Sequence, residues 1–156
     1  MNQEIINVVN QIANEISLLF YSILEDEGVS VNKKVGKNTL ASSNLRKDFE
    51  TQIKTGNSIV IDCLFNHYID FIEKGRTPKY KKRPPIDALR NWALNNGIST
   101  DNHTLFAISN AIWRDGYAPR PIFSKLEELI EKKFENEWSL YLFTAIIQEL
   151  NTYFNE

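Results

Sequence analysis

Residues that usually carry chemistry are scarce in this chain. It has two histidines, His67 and His103, and one cysteine, Cys63. A single thiol cannot close an intrachain disulfide, so the framework suits a reducing cytoplasm. No apolar run approaches the roughly 20 residues needed to span a bilayer. Met1-Asn2-Gln3-Glu4 lacks the basic flank and small-residue cleavage site of a signal peptide, so none is expected. A net charge of −2 gives no global pull toward nucleic acid or an acidic membrane surface. There are no internal repeats and no low-complexity tails. What is present is ordinary: 156 residues, 42% hydrophobic and 24% charged, enough to bury a core as one domain over 1–156 without disulfide or metal.

Periodicity sketches an α+β chain. Ile5, Val9, Ile12, Ile16, Leu19, Phe20 and Ile23 recur at three- and four-residue steps, which predicts an amphipathic N-terminal helix over about 2–27. Gly28 stands where a left-handed cap belongs. The acidic Glu25-Asp26-Glu27 opposes the helix dipole there and reads as a solvated end. Residues 29–44, with Lys33, Lys34, Gly36, Lys37, Asn38 and Ser42-Ser43-Asn44, have loop chemistry and are long for a compact domain. Such a segment is mobile or ordered by a partner.

A hairpin over about 45–65 comes next. Leu45, Lys47, Phe49, Thr51 and Ile53 alternate along one strand, Lys54-Thr55-Gly56-Asn57 turns, and Ser58–Phe65 returns as a β-branched run. Residues 66–74 suit either an extension of that strand or a short helix, with helix favoured. Gly75 ends this element, and a basic connection takes over. Pro84-Pro85 then starts a helix with the stripe Ile86, Leu89, Trp92 and Ala93, stopped by Asn95-Asn96-Gly97. Thr100 or Asp101 caps the next, with the stripe Leu105, Ile108, Ala111 and Ile112, ended by Asp115-Gly116. Pro119-Arg120-Pro121 is a rigid junction into a helical segment over about 121–154. As one helix that segment would run roughly 50 Å, so a break near Glu135-Asn136 is expected.

A catalytic constellation is hard to assemble. Cys63 and His67 stand four residues apart, the spacing of two ligands on one helical face, but Cys63 falls in the expected strand, which destroys that geometry. No Gly-rich phosphate loop and no nucleophile elbow occur. Glu127, Glu128, Glu131, Glu135 and Glu137 alternate with Lys125, Lys132 and Lys133 as a solvated, charge-paired helix surface. No catalytic residue, metal ligand or cofactor is therefore assigned, and the expectation is a non-enzyme.

The sharpest electrostatic feature is Arg76, Lys79, Lys81, Lys82 and Arg83. Clustered cations suit DNA phosphates, but a solvated loop, or one pairing with the acidic residues of a neighbouring subunit, is the favoured reading. Gly75 and Pro78 turn the chain away from the sheet and Pro84-Pro85 redirects it, which makes 76–83 a projecting loop on a rigid frame. Helices 85–96 and 102–115 also admit a helix-turn-helix reading, that of a small DNA-binding regulator. However, Asp87, Asn91, Asn95, Asn110 and Asp115 on their exposed faces do not make a base-reading surface.

The order of the turn motifs carries a family resemblance. A Tyr/Phe-rich segment runs into Gly75-Arg76-Thr77-Pro78. The basic stretch leads to Pro84-Pro85-Ile86, a helix with Trp92, and Asn96-Gly97-Ile98. Ala107-Ile108 and Ala111-Ile112 precede Gly116 and Pro119-Arg120-Pro121, and Leu45-Arg46 stands before the hairpin. Over about residues 45–125 this resembles the tail-completion, or minor tail and neck, proteins of tailed bacteriophages. The resemblance implies an α+β fold with a small antiparallel sheet packed against helices. It implies a homo-oligomeric ring at the virion neck, made in the host bacterial cytoplasm, that joins portal or adaptor to tail proteins. Genomic double-stranded DNA would pass through it without sequence-specific contact. It implies scaffolding without catalysis or membrane contact. Segments 29–44 and 138–153 depart from the pattern.

Overall fold

The structure is a computed structural model that describes residues 3–32, 36–66 and 69–155. It is α+β: eight α-helices and two small antiparallel hairpins among the described residues. The expected single domain is subdivided into two compact units, Met1–Ile69 with Pro121–Glu156, and Asp70–Arg120.

The first unit is built on helix α1, Gln3–Glu25. Its buried residues Val9, Ile12, Ala13, Ile16, Phe20, Ile23 and Leu24 follow the helical period, so one face is committed to packing. Phe20 is fully buried and stacks on Phe49, with centroids 4.2 Å apart. Phe65 meets Phe20 edge-on at 5.5 Å and Phe123 at 4.9 Å. Four aromatic rings from distant parts of the sequence thus share one contact cluster, in the offset and edge geometries that ring quadrupoles favour.

The chain after α1 differs from the sequence expectation. Gly28 is not a left-handed cap. The helix stops at Glu25, and Asp26 caps a second helix, α2 (Glu27–Ser30), its carboxylate accepting from the Gly28 amide at 2.8 Å. Glu25, Asp26 and Glu27 are solvent-exposed, and Arg46 pairs with Glu25 at 3.0 Å at that surface while lying over the Tyr21 ring. The described parts of the polar stretch that follows are held by backbone and Asn38 hydrogen bonds. Val31–Asn32 (β1) pairs with Lys37–Asn38 (β2). Asn38 donates to the Leu24 carbonyl at 3.1 Å and accepts from the Leu40 and Ala41 amides, both at 3.0 Å. Lys33 and Lys34 lie outside the described residues.

Leu45 and Phe49 do not begin a strand. Asn44–Asp48 is a short helix, α3, and both residues are buried. A four-residue separation returns a side chain to the same side in either a strand or a helix, so that pair could not decide between them. The hairpin itself is β3 (Glu50–Lys54) and β4 (Val60–Leu64), in the register Glu50↔Leu64 to Lys54↔Val60. Lys54 and Asp62 form an ion pair across it at 2.5 Å. Helix α4 covers Ile69–Lys74, resolving that segment as helix; Tyr68 is outside the described residues.

The C-terminal segment is not broken at Glu135-Asn136. Helix α7 (Ile122–Lys133) runs into a π-helical turn, Phe134–Trp138, and on into α8 (Ser139–Asn155). The Ser139 amide bonds to the Phe134 carbonyl, five residues back. The α7 face marked by Ile122 and Leu126 would continue in a regular helix through positions 133, 137 and 140. The extra residue taken up by the π turn instead brings Trp138 and Ala145 inward, both buried. The Trp138 indole N–H donates to the Glu15 carboxylate of α1. That bond is the main cause of a Glu15 pKa below the usual carboxylate range; Gln11 and Lys133 add to it, and burial opposes it.

A carboxylate with a depressed folded-state pKa stabilises the fold above its unfolded-chain pKa, and the gain disappears as pH falls through the folded value. Trp138→Phe removes the donor and keeps most of the ring. The variant is expected to be less stable than wild type near neutrality, with the gap closing on acidification from about pH 5 to pH 2. Urea denaturation across that range measures it, and a gap independent of pH would contradict the assignment.

Candidate functional site

The second unit is organised by a close crossing of two segments. Gly75 terminates α4 with φ +66°. Gly116, φ +63°, terminates α6, Asn102–Asp115. Between them Arg76 and Tyr117 form an isolated antiparallel bridge, with two backbone hydrogen bonds of 2.9 Å. A Cβ on Gly75 would lie 2.5 Å from the Pro119 nitrogen and 2.8 Å from the Tyr117 carbonyl oxygen. One on Gly116 would run into the Arg76 carbonyl oxygen and lie 2.9 Å from the Pro78 nitrogen. Both positions thus need glycine on two counts, positive φ and absence of space. Of the turn residues singled out in the sequence, Gly75, Pro78, Gly116 and Pro119 meet at this crossing.

The others build the helix pair. Pro85 precedes α5 (Ile86–Asn95), and Pro84 offers its carbonyl to the buried Ser109 hydroxyl at 2.5 Å. Gly97, φ +67°, follows the α5 cap. Asp101 is the N-cap of α6, accepting from the Thr104 amide at 3.0 Å and hydroxyl at 2.7 Å and from the Ser99 hydroxyl. Those bonds hold its carboxyl well below the usual range. Arg90 ties the two helices by donating to the Thr100 carbonyl at 2.7 Å and to the Asn102 side chain at 3.1 Å. Trp92 departs from its expected place in the apolar stripe and is about half exposed. Pro121 belongs to the first unit, at the start of α7.

The basic connection does not project; it is folded back on α6. The Lys79 amide donates to the Trp113 carbonyl at 2.6 Å, and the Trp113 indole N–H donates to the Lys81 carbonyl at 3.0 Å. Arg83 lies over the Trp113 ring at 4.7 Å and donates to Asn110 at 2.9 Å. Arg76 folds inward, its guanidinium donating to the Tyr80 carbonyl at 2.9 Å and to the Lys82 carbonyl. Lys79 and Lys81 take left-handed backbone angles, φ 58° and 55°. For residues with a Cβ that costs on the order of 1–2 kcal/mol each, offset here by the tethers. Trp113 stands three residues from Asn110 and Gly116 and four from Ser109, so one side of α6 makes the cradle. That spacing was the available signal for it.

The five cations therefore divide by role. Arg76 is an internal clamp and Arg83 a stacked anchor, while the exposed Lys79, Lys81 and Lys82 carry charge outward on a fixed backbone. None of the five forms an ion pair among the described residues. Residues 70–120 contain nine Lys/Arg and five Asp/Glu, whereas the rest of the chain contains nine and fifteen. The near-neutral total conceals a cationic second unit and an acidic first one. Such a loop can hold phosphate or carboxylate groups, and its rigidity lowers the ordering cost of doing so.

Other candidate chemistry stands apart. Cys63 lies in β4, and burial, with Asp62 beside it, pushes its thiol up, opposite to an activated nucleophile. His67 is outside the described residues. No group of three His, Cys, Asp or Glu suited to a metal occurs among the described residues. An open groove of about 230 Å3 in the first unit is lined by Ile6, Val9, Asn10, Ile53, Thr55 and Ile59, with no acid, base or thiol. No helix among the described residues is long and apolar enough to cross a membrane. Set against protein-family models, curated proteins and solved structures, the chain matches none of them.

Two variants probe the crossing and the cradle. Gly116→Ala is expected to destabilise the protein by at least about 2–3 kcal/mol in urea denaturation, through strain and the blocked approach to Arg76. Trp113→Ala should free the loop, so that tryptic cleavage after Lys79, Lys81 and Lys82 accelerates by roughly tenfold or more while the helical circular dichroism is kept.

Proposed function

We propose that this chain is a non-enzymatic structural protein of a tailed bacteriophage, a tail-completion type subunit. It assembles as a homo-oligomeric ring in the neck of the virion and joins portal or adaptor to tail around the DNA channel. The observation that supports the reading is that several turn residues of the family resemblance meet at one crossing while others bound the α5–α6 pair. Gly75-Arg76-x-Pro78, Gly116 and Pro119 form the crossing. Pro84 is held by Ser109, and Pro85 and Gly97 bound α5. The scarcity of acid–base and thiol chemistry supports a scaffolding role.

On this reading the clamped loop 76–83 meets the next protein layer in preference to DNA. A subunit lining the channel must let a genome slide past, which disfavours strong phosphate contacts. The acidic surfaces of neighbouring proteins would be read by Lys79, Lys81 and Lys82.

Electron microscopy of virions, with the chain located by antibody or by density, is the direct test. It should occupy the neck; presence in infected cells but never in particles would overturn the proposal. Neutralising Lys79, Lys81 and Lys82 together should impair joining of heads to tails. If joining were intact and only DNA retention changed, the loop would be a DNA contact instead. The regulator alternative would show as salt-dependent gel shifts on random duplex, which a connector subunit lacks at moderate salt.

A further inference from the structure

We infer that α8 is a self-association helix, whose outward seam packs against the same helix of a second copy of this chain. From Ser139 to Asn155 it carries a single charged residue, Glu149. Its inward face is already used: Ala145 is buried, as is Trp138 just before the helix begins, and α8 packs along α1. Yet the opposite face is apolar too. Leu140, Phe143, Ile147, Leu150 and Phe154 are 59%, 63%, 40%, 45% and 77% exposed. α8 thus has two apolar faces, one packed inward and one open, with a polar stripe of Thr144, Gln148, Asn151, Thr152 and Asn155 along one side, and an open apolar face of this kind is a surface suited to a partner.

The spacing says what kind of cover fits. These five residues step by three, four, three and four, the repeat of a knobs-into-holes seam, over roughly 21 Å of helix. Two heptads are too few to hold an isolated coiled coil, but α8 is preformed by its packing on α1 and loses little order on docking. Ile146 and Tyr153 widen the seam on one side, while Thr144 and Asn151 flank the other. No charge at these flanks selects a different partner or repels an identical one. A lipid surface fits poorly, because a membrane-lying helix presents Lys and Arg on its polar face and α8 has neither.

The area also matches. Taking roughly 200 Å2 for a large side chain, the five seam residues with the flanking Ile146 and Tyr153 amount to about 800 Å2. That exceeds the largest patch of an ordinary monomer, roughly 300–600 Å2. It equals one partner's share of a standard interface, about 800 Å2. Ile147 is the midpoint of the seam, so around a two-fold axis it meets its own counterpart whether the helices run parallel or antiparallel.

The inference stands on the helix itself, whatever the fate of the connector reading. Sedimentation of the purified full chain at micromolar concentration should give at least twice the 18.1 kDa monomer mass. Phe143→Glu with Leu150→Glu should reduce that to monomer while helical circular dichroism is kept. In a Cys63→Ser background, Ile147→Cys should form a covalent dimer on oxidation, and Gln148→Cys, off the seam, should not. A monomeric wild-type chain overturns the inference. So does an oligomer that survives the double substitution, or failure of Ile147→Cys to cross-link. Oligomers in solution together with absence from virions would sink only the connector reading.

Discussion

The second unit depends on a contact in which there is room for nothing but hydrogen. Where the chain leaves α4 and where it leaves α6, the two backbones come within bonding distance, and Gly75 and Gly116 stand on opposite sides of the junction. The bridge between Arg76 and Tyr117 fixes both ends of a stretch of about forty residues. Everything between them, including the basic loop and the α5–α6 pair, is closed by that junction. A small unit with few fully buried side chains has little hydrophobic energy to spare. Backbone hydrogen bonds and one tryptophan therefore bear much of the organisation that a larger core would supply.

The first unit solves the opposite problem. It has a long helix and ample apolar surface, and its difficulty is aligning three separate parts of the chain on the same face of α1. Phe20, Phe49, Phe65 and Phe123 align them at one end. Trp138 and Glu15 do so near its middle, where a polar bond between α1 and the C-terminal helical segment fixes the register that apolar packing alone would leave loose. The acidic balance of this unit and the cationic balance of the other give the two units surfaces of different charge.

What the sequence made legible was whatever rests on a repeating period or a residue with one job. The α1 stripe, the hairpin, the stop at Gly97, a cap at Thr100 or Asp101 (the structure uses Asp101) and the stop at Gly116 were all readable on those grounds. Leu45–Phe49 misled because its spacing satisfies two periods at once. The continuity of the C-terminal segment was hidden because a π turn shifts the apolar pattern by one residue, which in sequence looks like an interruption. The loop 76–83 looked detached because glycine and proline report a change of direction but not its destination. That destination was set by Trp113, some thirty residues further along. Its partners are two backbone groups of the loop, and backbone groups leave no trace in composition. Gly75 and Gly116 were legible as turns, whereas their mutual approach was not.

The π turn at Phe134–Trp138 has one more consequence. Each residue of a regular helix advances the azimuth by about 100°, so gaining or losing one residue ordinarily swings everything downstream to a different side. This helix already accommodates one surplus residue as a local bulge, and a chain shorter by one at that point could follow the same path as plain α-helix. The segment thus holds a length tolerance at a single place, between its two packed halves. Descendants of this chain can vary there without turning the tyrosine- and phenylalanine-bearing side of the last helix away from where it now looks.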